Sequence, residues 1–575
     1  MTETRESTAT RARSERLPRE THSALARVLW YRQLDRYPST APRLLYLTIV
    51  VLATIVLYYE LYIPGAVAPQ IIAGYHMTFL FYVYTIAVGN LVGAFSSVIA
   101  GLADRWGRAN LVAYGLALTG LLTLLAVPHA STKWEFAVVF CAIGFVEGII
   151  LVATPALVRD FSPQLGRASA MGFWTLGPVV GSLVVSEVSS HTLTHFHRWQ
   201  DQFYICGIVG LAMFAVAAVG LRELSPALRD QLMVSMRDRA LVEARAKGIE
   251  IRDALRRPWR QMLKPDIVGS AFAISVFLLI YYAAVGFFVI YFSTIFGFST
   301  AKANGIGNWF WAFDAGALIV VGIISDLVRV RKPLMVVGAL GAIAMTIVFL
   351  LQAKQAQTGY YTFVWQVSLL AVFLAVAYAP WMASFTETVE RRNPALTATG
   401  LAVWGWIIRI VVAVSTFFIP VVVSSMTPLV NYGAQVQTLA KKNAHVLQVY
   451  DQHKPLFTQL AKYPPNAIPP ALLGRALREV GPADLQAVAK AKNDLQFLAA
   501  HGPAVQKAAR QTPGQWQNWY WVCVGGEIVF VPLILLMAGR WSPRRAREDA
   551  EAHERMVREE LVRLHASEQP GVRAA

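Results

Sequence analysis

Charged residues are scarce: Asp, Glu, Lys and Arg make up 15% of the 575 residues, against about a quarter in a soluble globular domain. Such a chain cannot clothe itself in the solvated surface a soluble domain needs. Cysteine is rarer still. The three, Cys141, Cys206 and Cys523, all fall within apolar runs, which excludes a disulfide framework and a cysteine-built metal centre. Acidic side chains are outnumbered, 35 Asp and Glu to 52 Lys and Arg. No G-x-x-x-x-G-K-[S/T] phosphate loop occurs, so ATP is not expected to drive any activity. No nucleophile–base, metal-ligand or cofactor grouping stands out, so neither catalysis nor a metal or cofactor is expected. Upstream of Leu44 the chain lacks the apolar core of a cleavable signal peptide.

Apolar sequence, by contrast, is plentiful. Hydrophobic residues reach 55% and the mean hydropathy is +0.45. A window of about twenty residues, the length that crosses a bilayer as a helix, finds twelve runs. They are 44–63, 78–99, 111–127, 134–158, 168–188 and 203–221, then 267–290, 305–324, 333–351, 361–385, 396–424 and 519–537. Cations crowd every second loop: Arg105 and Arg108, Arg159 and Arg167, the middle connector, Arg329, Arg331 and Lys332, Arg391 and Arg392. By the positive-inside rule these loops and both termini face the cytoplasm, in a multi-pass plasma-membrane protein. The net charge of +17 is then a topology signal, and no nucleic-acid partner is expected.

The expected organisation follows. An Arg-rich, largely disordered cytoplasmic tail (1–43) precedes a first bundle of six helices (44–221), a cytoplasmic connector of amphipathic helices (222–266) and helices seven to eleven (267–425). A polar insert (426–518) then separates helix twelve (519–538) and a cytoplasmic tail (539–575). The insert holds ten Lys and Arg against four Asp and Glu, with breaks at Pro464-Pro465 and Pro469-Pro470. It must lie outside the cytoplasm, as short helices over the outer mouth. An inert lid and a site for an extracytoplasmic protein partner both fit.

Two charged turns carry a repeat. Ala100-Gly-Leu-Ala-Asp104-Arg105-Trp-Gly107-Arg108 links the second and third runs, and Gly322-Ile-Ile-Ser-Asp326 ends the eighth, 222 positions on (Asp326 minus Asp104). Tyr58-Tyr59 is echoed by Tyr281-Tyr282, and Gly172…Gly177 by Gly400…Gly405, at nearly the same offset. Echoes in one order at one spacing point to two homologous halves. The first turn resembles the G-x-x-x-D-R-x-G-R loop signature of the major facilitator superfamily, with the first glycine displaced to Gly101. The resemblance implies an all-α membrane protein of twelve transmembrane helices in two pseudo-symmetric six-helix bundles. It also implies that Asp104, Arg105, Gly107, Arg108, Gly322 and Asp326 belong to conformational-switch loops. Arg222-Glu-Leu-Ser-Pro226 and Glu387…Arg391 look like the sugar-porter and metabolite:proton symporter branch. Gly177-Pro178-Val-Val-Gly181-Ser182 only partly resembles the motif of the drug antiporters.

Ionisable residues inside spans are costly and so mark candidate sites. Glu60, Glu147, Asp314 and Arg409 lie within the first, fourth, eighth and eleventh runs, and Glu187 and Glu527 nearer the ends of theirs. The resemblance implies that Glu60 and Glu147 face a central pathway, with Asp314 and Arg409 flanking it and Tyr59, Tyr281 and Tyr282 beside it. Arg409 shares a helical face with the small residues Gly405, Ala402 and Thr416. A buried carboxylate can take up and release a proton, and a guanidinium offers a bidentate fork to an anion. Asp314 and Arg409 could equally form a structural ion pair. The function expected is secondary transport of a small organic anion or polar metabolite, with the proton as coupling ion. Proton-driven efflux of an amphipathic compound, and a receptor or scaffold using the insert, are the rival readings.

Overall fold

A computed structural model describes residues 30–99, 107–161, 167–225, 258–328, 330–355, 357–393, 396–464 and 467–539, with Leu228 and parts of 541–559. Twelve long helices dominate the described residues. The first half holds α1 (Thr40–Ala66), α2 (Phe79–Ile99), α3 (Arg108–His129, with a π-turn at Leu122–Ala126), α4 (Lys133–Phe161), α5 (Arg167–Thr192) and α6 (Trp199–Gly220). The second holds α7 (Pro265–Ile295, broken at Leu278), α8 (Thr300–Val328), α9 (Lys332–Gln352), α10 (Tyr360–Arg392), α11 (Thr397–Val422) and α12 (Lys492–Leu533). Eleven of these are long and apolar enough to cross a membrane. The twelfth long helix, α5, packs between α1 and α8. Prolines inside α1, α4, α5, α10 and α11 are tolerated because neighbouring helices shelter the carbonyls they release.

The two halves repeat one packing plan. In the first, α2 packs on α4, α1 on α5 and α6, and α3 on α6. In the second, α8 packs on α10, α7 on α11 and α12, and α9 on α12. The halves meet where α5 lies on α8 and α2 on α11, again a matched pair. The described chain thus has the internal pseudo-twofold relation that the sequence echoes suggest.

Two features depart from expectation. The arm before α1, expected to be disordered, is docked from Trp30 onward. Gln33–Leu34 (β1) pairs in parallel with Glu223–Leu224 (β2) just after α6. Arg32 is buried and donates to the carbonyls of Ala217 and Ala218 at the end of α6, while Asn110 donates to the Trp30 carbonyl. A cation on the last free carbonyls of a helix is a good cap, and it holds the arm in place.

The second departure is α12, which runs unbroken for 42 residues from Lys492. The boundary expected near 518 is a change from polar to apolar surface, not a helix end. The rest of the insert is short helices, among them Ala434–Lys442, Ala444–Gln452, Pro470–Glu479 and Pro482–Lys490. Most of the connector expected at 222–266 lies outside the described residues.

Candidate functional site

A cavity of about 350 Å³ lies at mid-depth between the halves. Its wall comes from α1, α2, α4 and α5 and from their counterparts α7, α8, α10 and α11. Nine aromatic side chains line it, among them Tyr58, Tyr62, Tyr281, Tyr282, Tyr378 and Trp404. Tyr58 and Tyr62 sit 5.4 Å apart one helical turn from each other, and Tyr281 and Tyr282 are also 5.4 Å apart, nearly edge-to-face at 80°.

Three of the expected ionisable residues line this cavity together: Glu147, Asp314 and Arg409. Glu147 is 1% exposed, and neither carboxylate oxygen has a hydrogen-bond partner. Asp314, on the opposite wall, is 3% exposed and lies within electrostatic reach of Tyr281. The Arg409 guanidinium reaches electrostatically toward Tyr58 in one half and Tyr282 in the other. Gly405 and Thr416 line the cavity beside it, whereas Ala402, expected on the same face, does not.

Glu60 is placed elsewhere. Although only 2% exposed, it does not line the cavity. It turns behind α1, where its Oε2 accepts a 2.7 Å hydrogen bond from Thr119 on α3. Its other oxygen lies against Gly210 of α6, at a spot where any Cβ would collide with it. Tyr59 follows it into the bundle core, and Tyr58 takes the cavity position. The reason is helical phase: neighbours in sequence differ by about 100° in direction.

The second half contains an echo of this arrangement. Glu527 on α12, 0% exposed, accepts a 2.7 Å bond from Thr346 on α9, and Thr346 stands 227 positions after Thr119. Glu187, by contrast, sits at an exposed helix end beside His191.

Of the switch loops, Asp104 and Arg105 lie outside the described residues. Gly107 adopts φ +87°, a conformation side chains other than glycine's resist, and opens α3. The Glu223 carboxylate accepts the Arg108 backbone N–H at 2.7 Å, capping that helix, and Arg108 Nη1 donates to both carboxylate oxygens of Asp160 on α4, at 2.7 and 3.0 Å. In the second half Asp326 pairs with Arg331 at 2.9 Å, and Arg331 also reaches Glu387 of α10 at 3.2 Å. Arg331 is 223 positions beyond Arg108, and Glu387 is 227 beyond Asp160. Asp160, Glu223 and Glu387 were not singled out as partners from sequence, although this doubled spacing could have found two of them. Gly322 lies one turn before Asp326 on α8.

At the end of the bundle that carries the insert, five hydrogen bonds join the halves. Gln70 donates to Thr300 at 2.7 Å, Asn304 to the Ala66 carbonyl at 2.9 Å, and Asn308 to Ser190 at 2.9 Å. The insert's first turns add Phe79 N–H to Thr427 at 3.1 Å and Asn431 to the Met77 carbonyl at 3.2 Å.

The chain belongs to the Major Facilitator Superfamily, whose family model matches residues 50–416. It is 24% identical over 265 residues to "Probable anion transporter 3, chloroplastic" of Oryza sativa subsp. japonica, covering 43% of this chain and 50% of that one. It is 22% identical over 281 residues to "Sugar phosphate exchanger 3" of Gallus gallus, covering 44% and 54% respectively. The chain thus spans about half the length of the curated relatives it matches. The fold is also that of a bacterial homologue of the human lysosomal transporter Spinster, in its inward-facing and unoccupied conformation, with a TM-score of 0.58 at 15% identity over 88% of this chain and all of the other.

Proposed function

We propose that this chain is a secondary transporter that moves a small organic anion across the plasma membrane by alternating access, coupled to protons. The observation that carries the reading is Glu147, a carboxylate buried in the wall of the inter-half cavity with no hydrogen-bond partner on either oxygen. An unpaired charge there is costly by several kcal/mol, and a proton removes it. Arg409 offers the guanidinium fork for the anion, and Asp314, on the facing half, is a second proton carrier. The cation-rich loops put both termini in the cytoplasm, so the insert and the five joining bonds lie on the outer side. The Arg108 and Asp326 turns, with Asp104 and Arg105, then form the cytoplasmic contacts that hold while the outer side is open and yield when the inner side opens.

The test is flux into proteoliposomes under an imposed proton gradient. Uptake of an organic anion should rise with an inward gradient, and Glu147→Gln should reduce accumulation about tenfold or more while solute counterflow persists. Expulsion under the same gradient would mean antiport. Normal gradient-driven accumulation by Glu147→Gln would remove Glu147 from coupling.

A further inference from the structure

Within the reading of an organic-anion carrier, the cavity's charges and rings narrow the solute further. Among the described residues lining it, Arg409 is the single Lys or Arg, and it shares the space with two carboxylates, Glu147 and Asp314. A phosphate ester carries roughly one and a half to two negative charges at neutral pH. Phosphate sites therefore bring together several cations or a fan of backbone N–H groups. One guanidinium facing two acidic side chains is the wrong balance for such a solute. It matches a single carboxylate, which the guanidinium fork can grip with both oxygens.

The rest of the wall is aromatic. Tyr58 and Tyr282, the two rings in electrostatic reach of Arg409, belong to opposite halves. A group bound at the guanidinium thus lies in a space walled by rings of both halves, Tyr58 and Tyr62 from one and Tyr281, Tyr282, Tyr378 and Trp404 from the other. Rings prefer offset or edge-on partners at about 4.5–7 Å, the separation that Tyr58 keeps from Tyr62 and Tyr281 from Tyr282. At about 350 Å³ the cavity is at the small end of ligand pockets, suited to a one-ring acid.

We propose that the solute is an aromatic monocarboxylate, its carboxylate on Arg409 and its ring between Tyr58 and Tyr282, and not a phosphate ester. Such a ligand touches both halves at once, so its binding is felt by both.

The proposal is tested by binding to the purified full chain, read by isothermal titration, with benzoate, phenylacetate, cyclohexanecarboxylate, glucose 6-phosphate and benzylamine as probes. One of the two aromatic acids should bind about tenfold more tightly than cyclohexanecarboxylate and more tightly than glucose 6-phosphate. Arg409→Gln should weaken aromatic-acid binding by roughly thirtyfold or more, and Arg409→Lys by less. Tyr58→Leu and Tyr282→Leu should level the preference for the aromatic acid, with melting temperatures showing that the variants are folded.

Equal or tighter binding of glucose 6-phosphate or cyclohexanecarboxylate, still lost in Arg409→Gln, would overturn the aromatic assignment and leave the anion reading standing. Preference for benzylamine, anion binding indifferent to Arg409→Gln, or no binding of any acid would overturn both.

Discussion

Glu147 and Glu60 lie on packed helices, yet their surroundings give them different work. Glu147 opens onto the cavity without a hydrogen-bond partner, whereas Glu60 is committed to Thr119 behind α1. Glutamine at position 60 can still accept the Thr119 hydroxyl, so Glu60→Gln should keep gradient-driven uptake in the flux assay that Glu147→Gln fails. Loss of coupling in Glu60→Gln would show that protons pass behind α1. Gly210→Ala would drive a methyl into Glu60, and overpacking of this kind costs about 1–3 kcal/mol. A lowered melting temperature should report it, and an unchanged one would mean that α6 can shift away.

That both carboxylates stand within buried spans was legible in the sequence, because charge within a long apolar run stands out. Which way Glu60 points was not. Direction depends on the rotation of α1 within the bundle, and every side of α1 is nearly equally apolar. Arg409 was easier to place, because Gly405 and Thr416 mark an open face.

At the scale of elements, the mirrored charge pairs join corresponding helices at the same end of each half but in different surroundings. Arg108 and Asp160 are nearly buried, at 10% and 3% side-chain exposure, while Glu387 of the second pair is 43% exposed. Removing one member of a buried pair strands the other and costs about 3–5 kcal/mol, whereas a half-exposed pair contributes about 0.2–1 kcal/mol. Asp160→Ala should therefore lower the melting temperature much more than Glu387→Ala. Equal losses would contradict the difference in burial.

The turns themselves could be read from glycine and charge spacing, but Glu223, 115 residues from Arg108, could not. The two-residue strands β1 and β2 are likewise too short to leave a pattern. For α12, a change in polarity along one continuous helix imitates a boundary.

For the whole molecule, the spacing of echoes foretold two like halves, and their matched packing bears this out. A shared cavity walled by four helices from each half, with five hydrogen bonds joining the halves at the insert end among the described residues, gives the bundle a place to hinge. Alternating access then requires the two ends to move in opposition. Spin labels can follow this directly, one pair at Thr194 and Lys302 on the insert end, another at Ala41 and Arg391 on the far end, each pair spanning the two halves. On changing pH and adding an organic acid, one distance should lengthen by several ångströms as the other shortens. Two distances that stay fixed, or that lengthen together, would contradict the rocking of one half against the other around the Glu147–Arg409 cavity.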